Sequence, residues 1–238
     1  MATTVLHKAD TRGHVDHGWL EAYHSFSFAS WYNPDRIQFG MLRVLNDDTV
    51  AAGMGFGTHA HDNMEIITIP LEGDLAHKDS MENSEIIKTG DVQVMSAGTG
   101  IKHSEFNPNA SERTKLFQIW IFPKIKNVEP RYQQITLDSA EQKNNFAQIL
   151  SPDPDDAGVW IYQDAWFHLA DFSAGFGKTY TLKKEGNGLY VLIISGSITV
   201  DGQELETRDG FGIWNFQNLE FVALTDAKFL LMEIPMEQ

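Results

Sequence analysis

Residues 71–91, LEGDLAHKDSMENSEIIKTGD, and their shorter echo at residues 194–210, ISGSITVDGQELETRDG, decide the fold. Each reads as a strand, a glycine turn, a strand, a polar turn, a strand and a closing Gly/Asp turn. Working outward, short β-branched and aromatic runs bounded by turn residues recur at Glu65–Leu71, Gln93–Met95, Leu116–Phe122, Tyr190–Ile194, Ser197–Val200, Phe221–Leu224 and Lys228–Ile234. Many short strands with little helical periodicity predict an all-β sandwich or barrel, and the echo predicts two similar β-domains. One helix is expected over Ser139–Leu150, with Ala140, Phe146, Ala147 and Leu150 on its apolar stripe. The turn-rich loop Pro152–Gly158 follows it, and a domain boundary is placed there.

The first copy carries the chemistry. In GMGFGTHAHDNMEIITIP (residues 53–70) His59 and His61 are two apart on a probable strand, so both imidazoles project from one face. In AGTGIKHSEF (residues 97–106) His103 and Glu105 repeat that spacing. If the two strands face one another inside a barrel, three nitrogens and one carboxylate oxygen converge on one point, which is a metal site. A lone His-x-His pair is more often surface or a hydrogen-bonded core pair, and the second pair shifts the balance toward a ligand set. Imidazoles with a carboxylate suit a first-row divalent ion, and four protein ligands on a six-coordinate ion leave two positions for substrate and O₂. A tetrahedral zinc site would be closed by the same four. Aligning Gly73 with Gly196 and counting back puts Leu182 and Lys184 where the first copy has His59 and His61, so the second domain is expected to lack the ligands.

Composition narrows the partners. With 18 Lys+Arg against 33 Asp+Glu among 238 residues, the net charge of −15 repels phosphate backbones and anionic lipid headgroups. Direct nucleic-acid binding is disfavoured, and a protein partner is preferred to DNA. The absence of cysteine excludes disulfides, thiolate metal sites and cysteine nucleophiles. No apolar leader opens the chain and the longest apolar run, Leu189–Ile194, is too short to span a bilayer, so a cytoplasmic location and no membrane association are expected, and a chain that already packs two barrels together is expected to be a monomer. His77 and Asp79 share a strand face, where they could orient a ligand or simply bond within a hairpin. Met54, Phe56, Met64, Met95 and Phe106 neighbour the candidate ligands, and a subset could line an apolar pocket for a flat aromatic guest.

The spacing His59-x-His61-x₃-Glu65 before Gly73, then Gly90-x₅-Ser96-x-Gly98 with His103 and Asn107 beyond, resembles the two motifs of the cupin superfamily. The strings HAHDNMEIIT, HKDS and GDVQVMSAGTGIKHSE resemble the pirin family, which includes bacterial pirin-like proteins with quercetin 2,3-dioxygenase activity. Two departures from the usual cupin pattern stand out. Ser96 occupies a position where proline is common, and His103 lies two residues farther from Gly98. The resemblance implies two tandem cupin-type jelly rolls with short helices: a metal-binding domain over 1–135, a helix and linker over 136–158, and a cupin-like domain over 159–238. It implies His59, His61, His103 and Glu105 as metal ligands, with Glu65, the usual cupin carboxylate, left to a charge-paired or supporting role. It also implies a divalent cofactor, Fe(II) first, with Zn, Mn, Cu, Ni or Co as alternatives. Glu105 would be the general base in cleavage of a flavonol by O₂ to a depside and carbon monoxide. The competing implication is an iron-dependent, redox-sensing co-regulator that binds a protein partner without catalysis. A β-sandwich with a merely structural metal is the third possibility.

Overall fold

The computed structural model describes residues 2–237, and nearly every element is a strand. The first part of the chain contributes β1 (Thr3–His7), β2 (Gly13–Asp16), β3 (Leu20–His24), β4 (Leu42–Val50), β5 (Gly55–His61) and β6 (Glu65–Glu72). It continues with β7 (Leu75–Asp79), β8 (Ser84–Ile87), β9 (Asp91–Ser96), β10 (Ile101–Phe106), β11 (Thr114–Ile121) and β12 (Arg131–Thr136). The second part contributes β13 (Ala147–Ser151), β14 (Val159–Trp160), β15 (Trp166–Phe172), β16 (Gly177–Thr181) and β17 (Asn187–Ser195). It ends with β18 (Ser197–Val200), β19 (Gln203–Glu206), β20 (Gly210–Trp214), β21 (Asn218–Ala223) and β22 (Ala227–Pro235).

Each half pairs a seven-stranded sheet with a four-stranded one. The first half has the orders β12-β9-β6-β11-β4-β3-β2 and β5-β10-β7-β8, and the second has β1-β20-β17-β22-β15-β13-β14 and β16-β21-β18-β19. The two sets of orders correspond strand for strand, so the repeated sequence pattern is a repeated jelly roll.

Strand alternation divides the core. On the seven-stranded sheets one parity, including Ile67, Ile69, Phe117, Ile119, Phe167, Tyr190, Leu192, Leu230 and Met232, forms a shared cluster between the two halves. The opposite parity points into each barrel. The second barrel is filled with Phe172, Val191, Ile193, Phe221, Phe229 and Leu231. The first holds only small apolar clusters around Leu75 and Met95, with Asn46, Asp48, Thr68, Gln93 and Gln118 buried among its polar residues.

Two expectations need correction. Ser139–Leu150 is not a helix: a 3₁₀ turn at Ser139–Gln142, capped by Asp138, gives way to β13. Asn144 sits in the left-handed region at φ 52°, which breaks any helix there. Ala147 and Ile149 then alternate as buried strand residues. The first sheets also do not include the start of the chain, because β1 pairs with β20 (Thr3↔Trp214 through His7↔Gly210) and closes an edge of the second large sheet.

Candidate metal centre

The centre is built on β5, β10 and β7, three neighbours in the first four-stranded sheet. β5 and β10 do not face one another across a barrel, as the sequence reading supposed; they are hydrogen-bonded side by side, with His103 opposite His59 and Ile101 opposite His61. The register shifts between His103 and Glu105, where β5 carries an extra residue and Phe56 falls opposite Glu105. That bulge turns Phe56, His59 and His61 to the barrel side while Gly57, Thr58 and Ala60 remain exposed. Gly55 makes the bulge possible, since a Cβ there would lie 2.1 Å from the Glu105 carbonyl oxygen.

The three imidazoles meet, with ring centroids 4.8 Å apart for His59–His61, 4.4 Å for His59–His103 and 5.0 Å for His61–His103. Their ligand atoms lie within 4.8 Å of one another. His59 Nδ1 is 2.8 Å from the Gly57 carbonyl oxygen, so Nδ1 carries the proton it donates and Nε2 keeps its lone pair. His61 Nε2 and both ring nitrogens of His103 are buried with no hydrogen-bond partner. Burial, reinforced by neighbouring imidazoles, lowers His103 to about 2 and His61 to about 4, so both rings are neutral at physiological pH. Buried, neutral nitrogens without partners are costly unless something accepts their lone pairs, and a divalent cation between His61, His103 and the Nε2 of His59 would do so. The donor set therefore fits a metal.

Glu105 stands slightly apart, grouped with His103 and His77 within 4.8 Å. Gln118 Nε2 donates to its Oε2 at 2.7 Å, and the Thr68 hydroxyl lies 3.4 Å from Oε1. Burial raises its carboxyl above the ordinary range, against the bond from Gln118. Trp120 Nε1 donates to Gln118 Oε1 at 3.3 Å, and its ring packs edge-on against His61 at 4.8 Å. Thr68, Gln118 and Trp120 were not singled out from sequence. The available signal was the i, i+2 spacing that puts Gln118 and Trp120 on one face of β11.

Glu65 lies on the other parity of β6 from Thr68 and so points away from the imidazoles. It accepts from Ser96 Oγ at 2.6 Å, and burial raises it to about 7 against the pull of Ser96 and Arg131. Of the proposed apolar lining, Met64 and Met95 pack with Trp120, Phe56 packs with Trp19, and Met54 and Phe106 point outward. A cleft of about 1170 Å³ between the halves, lined by Lys124, Asp164, Lys184 and Trp214, holds none of the histidines.

The second barrel offers no counterpart. With the hairpins aligned at Gly73 and Gly196, His77 matches Val200, and their cross-strand partners are Glu105 and Phe221. Leu219 then stands for His103, Tyr180 for His59 and Leu182 for His61. The sequence count was two residues off because the turn after β16 is two residues longer than the turn after β5.

Comparison with known proteins agrees with this architecture. Residues 5–121 match the family model described as Pirin, and residues 148–234 match the one described as Quercetinase C-terminal cupin domain. The chain is 42% identical over 230 residues to a protein of Escherichia coli (strain K12) named quercetin 2,3-dioxygenase, covering 97% of this chain and 98% of that one. The crystal structure of YhhW from Escherichia coli superposes with a TM-score of 0.94 at 40% identity, covering 99% of this chain and 100% of that chain. A second structure, bacterial pirin YhhW in complex with nickel(II), gives a TM-score of 0.93 at 39% identity, covering 98% of this chain and 99% of that chain.

Proposed function

The chain belongs to the pirin family, and from that premise we propose that it is a metal-dependent dioxygenase that cleaves the flavonol quercetin with O₂ to a depside and carbon monoxide. The observation that carries this reading is the set of buried, neutral, partnerless imidazole nitrogens at His61 and His103 beside a buried carboxylate at Glu105. His59, His61, His103 and Glu105 would hold the ion. Fe(II) is the preferred occupant, and the nickel(II) complex of the bacterial relative supports a divalent ion of some kind. Such an ion, when bound, supplies Lewis acidity toward an enolic hydroxyl and, as iron, access to O₂ chemistry.

The remaining work falls to the chain's own side chains. Glu105 is the general base: its raised proton affinity suits removal of the flavonol 3-hydroxyl proton. Oε1, which carries only the long Thr68 contact, is the oxygen that takes it, while Gln118 anchors Oε2. The hydrogen bond from Trp120 holds Gln118 in turn. Trp120, with Met64 and Met81 packed on the same cluster, gives a planar aromatic guest an apolar surface beside His61.

The test is to strip the protein of metal, add Fe(II) anaerobically, admit O₂, and follow quercetin absorbance and carbon monoxide. Iron-dependent loss of quercetin with CO release is expected, and Glu105→Gln should retain metal yet lose at least ~100-fold in turnover. Full activity in Glu105→Gln would remove the base assignment. Bound iron without turnover would favour the regulatory reading, in which an acidic surface and a metal-dependent state recruit a protein partner.

A further inference from the structure

His77 is built like a metal ligand, although the family resemblance gives it no such role. It lies in β7 beside β10, with Glu105 opposite His77 and His103 opposite Asp79 in the register. Its Nε2 lies 3.1 Å from Asp79 Oδ2. Asp79 cannot swing away, because its Oδ1 accepts from the backbone N–H groups of Met81 and Asn83 at 2.9 and 3.2 Å, and Oδ2 accepts from the Asn83 side chain at 2.8 Å. The Tyr132 ring covers His77 at 4.9 Å.

A hairpin hydrogen bond accounts for Nε2 and leaves Nδ1 unexplained: this atom is buried and has no partner. An imidazole that gives one N–H to a fixed carboxylate and presents the other nitrogen's lone pair to a buried space is how proteins orient metal-bound histidines. The His103 ring is 5.3 Å away, and the ligand atoms of His77, His103 and Glu105 lie within 4.8 Å of one another. That is the same bound met by His59, His61 and His103. Metal–ligand bonds of ~2.0–2.2 Å put two ligand atoms up to about 4.4 Å apart, so either triad can close around one ion with small side-chain shifts.

We propose that His77 is a further metal ligand, forming with His103 and Glu105 an inner position for a divalent cation. His103 is shared with the outer position made by His59 and His61. A neutral imidazole has one donor lone pair, its other nitrogen carrying the proton, so His103 serves one position at a time and the protein holds a single cation at either. All three residues of the inner position are buried; the outer one is half-exposed, and Glu105 would reach it as a fourth ligand. The proposal rests on the metal-binding part of the reading above and is independent of the dioxygenase chemistry.

The experiment uses the full chain, stripped of metal and titrated with Co(II), and reads binding by calorimetry and geometry by the visible d–d spectrum. Three variants are compared with wild type: His77→Gln, the double variant His59→Ala/His61→Ala, and the triple variant combining them. Circular dichroism checks that each is folded. The double variant is expected to bind one equivalent of Co(II) with a spectrum unlike that of wild type, and adding His77→Gln should weaken that binding at least 100-fold. Loss of Co(II) binding in a folded double variant, or equal binding with and without His77, would overturn the proposal. Should the double variant not fold, His77→Gln alone decides: a tenfold loss of affinity with an altered spectrum supports the inner position, and an unchanged affinity and spectrum refute it. A wild-type protein that binds no Co(II) would overturn both the inner position and the metal reading, whereas a loaded protein inactive on quercetin leaves the inner position intact.

Discussion

The residue that best separates position from role is Glu65. Cupin spacing nominates it as a ligand, yet strand parity turns it toward Ser96 and the seam between the halves. Burial raises its carboxyl from the ordinary 4.5 to about 7. Between those values the native state keeps a proton that the unfolded chain has released, so this group's contribution to stability falls as pH rises through the window and is flat above it. Glu65→Gln removes that dependence. The stability of the variant relative to wild type should therefore increase from pH 4.5 to pH 8, by up to about 3 kcal/mol, as measured by urea unfolding at both ends. A difference that stays constant with pH would mean that Glu65 ionises like a surface carboxylate. The same scale shows what was legible in the sequence. Two-residue spacing within one strand was enough to bring His59 and His61 to one face, and His103 to theirs once the strands paired. The bonds from Thr68 and Gln118 to Glu105 were not legible, because they join strands of different sheets that no local pattern relates.

Among the elements, β5 is where backbone geometry governs the chemistry. Its bulge needs Gly55 against the Glu105 carbonyl, while a side chain at Gly57 would meet nothing within 4 Å. Gly55→Ala is expected to destabilise the protein by at least about 2 kcal/mol and to weaken divalent-metal binding, with Gly57→Ala changing neither by more than a few tenths. Thermal unfolding and calorimetric metal titration of the pair check this, and equal behaviour of the two variants would show that the bulge does not position the ligands. Strands with β-branched runs, such as β6, β17 and β22, were readable from sequence because both of their faces are buried. Ser139–Leu150 was misread because Ala140, Phe146, Ala147 and Leu150 fit a helical stripe, and only the left-handed Asn144 and the partner strand β15 reveal a turn followed by a strand.

For the molecule as a whole, the two large sheets back onto one another, and the division of labour follows from which interior is filled. The second barrel spends its volume on aromatic packing, and the first keeps polar side chains inside. The halves are also tied by charge: Asp47 of β4 lies 3.1 Å from Arg12 and 3.0 Å from Arg208, and the Arg208 guanidinium sits 5.2 Å from the Phe117 ring centre. Asp47→Ala would strand two largely buried guanidinium groups, so a loss of about 3 kcal/mol is expected in urea unfolding, which should remain a single transition because the shared cluster spans both halves. A loss under 0.5 kcal/mol would reduce the triad to a surface ornament. The pairing of β1 with β20 has a consequence for biogenesis. The ribosome releases β1 more than two hundred residues before its partner, so the first jelly roll can be completed during translation while that strand waits unpaired. The nascent chain thus carries an unpaired strand until Gly210–Trp214 emerges, and this border of the second sheet joins segments made more than two hundred residues apart.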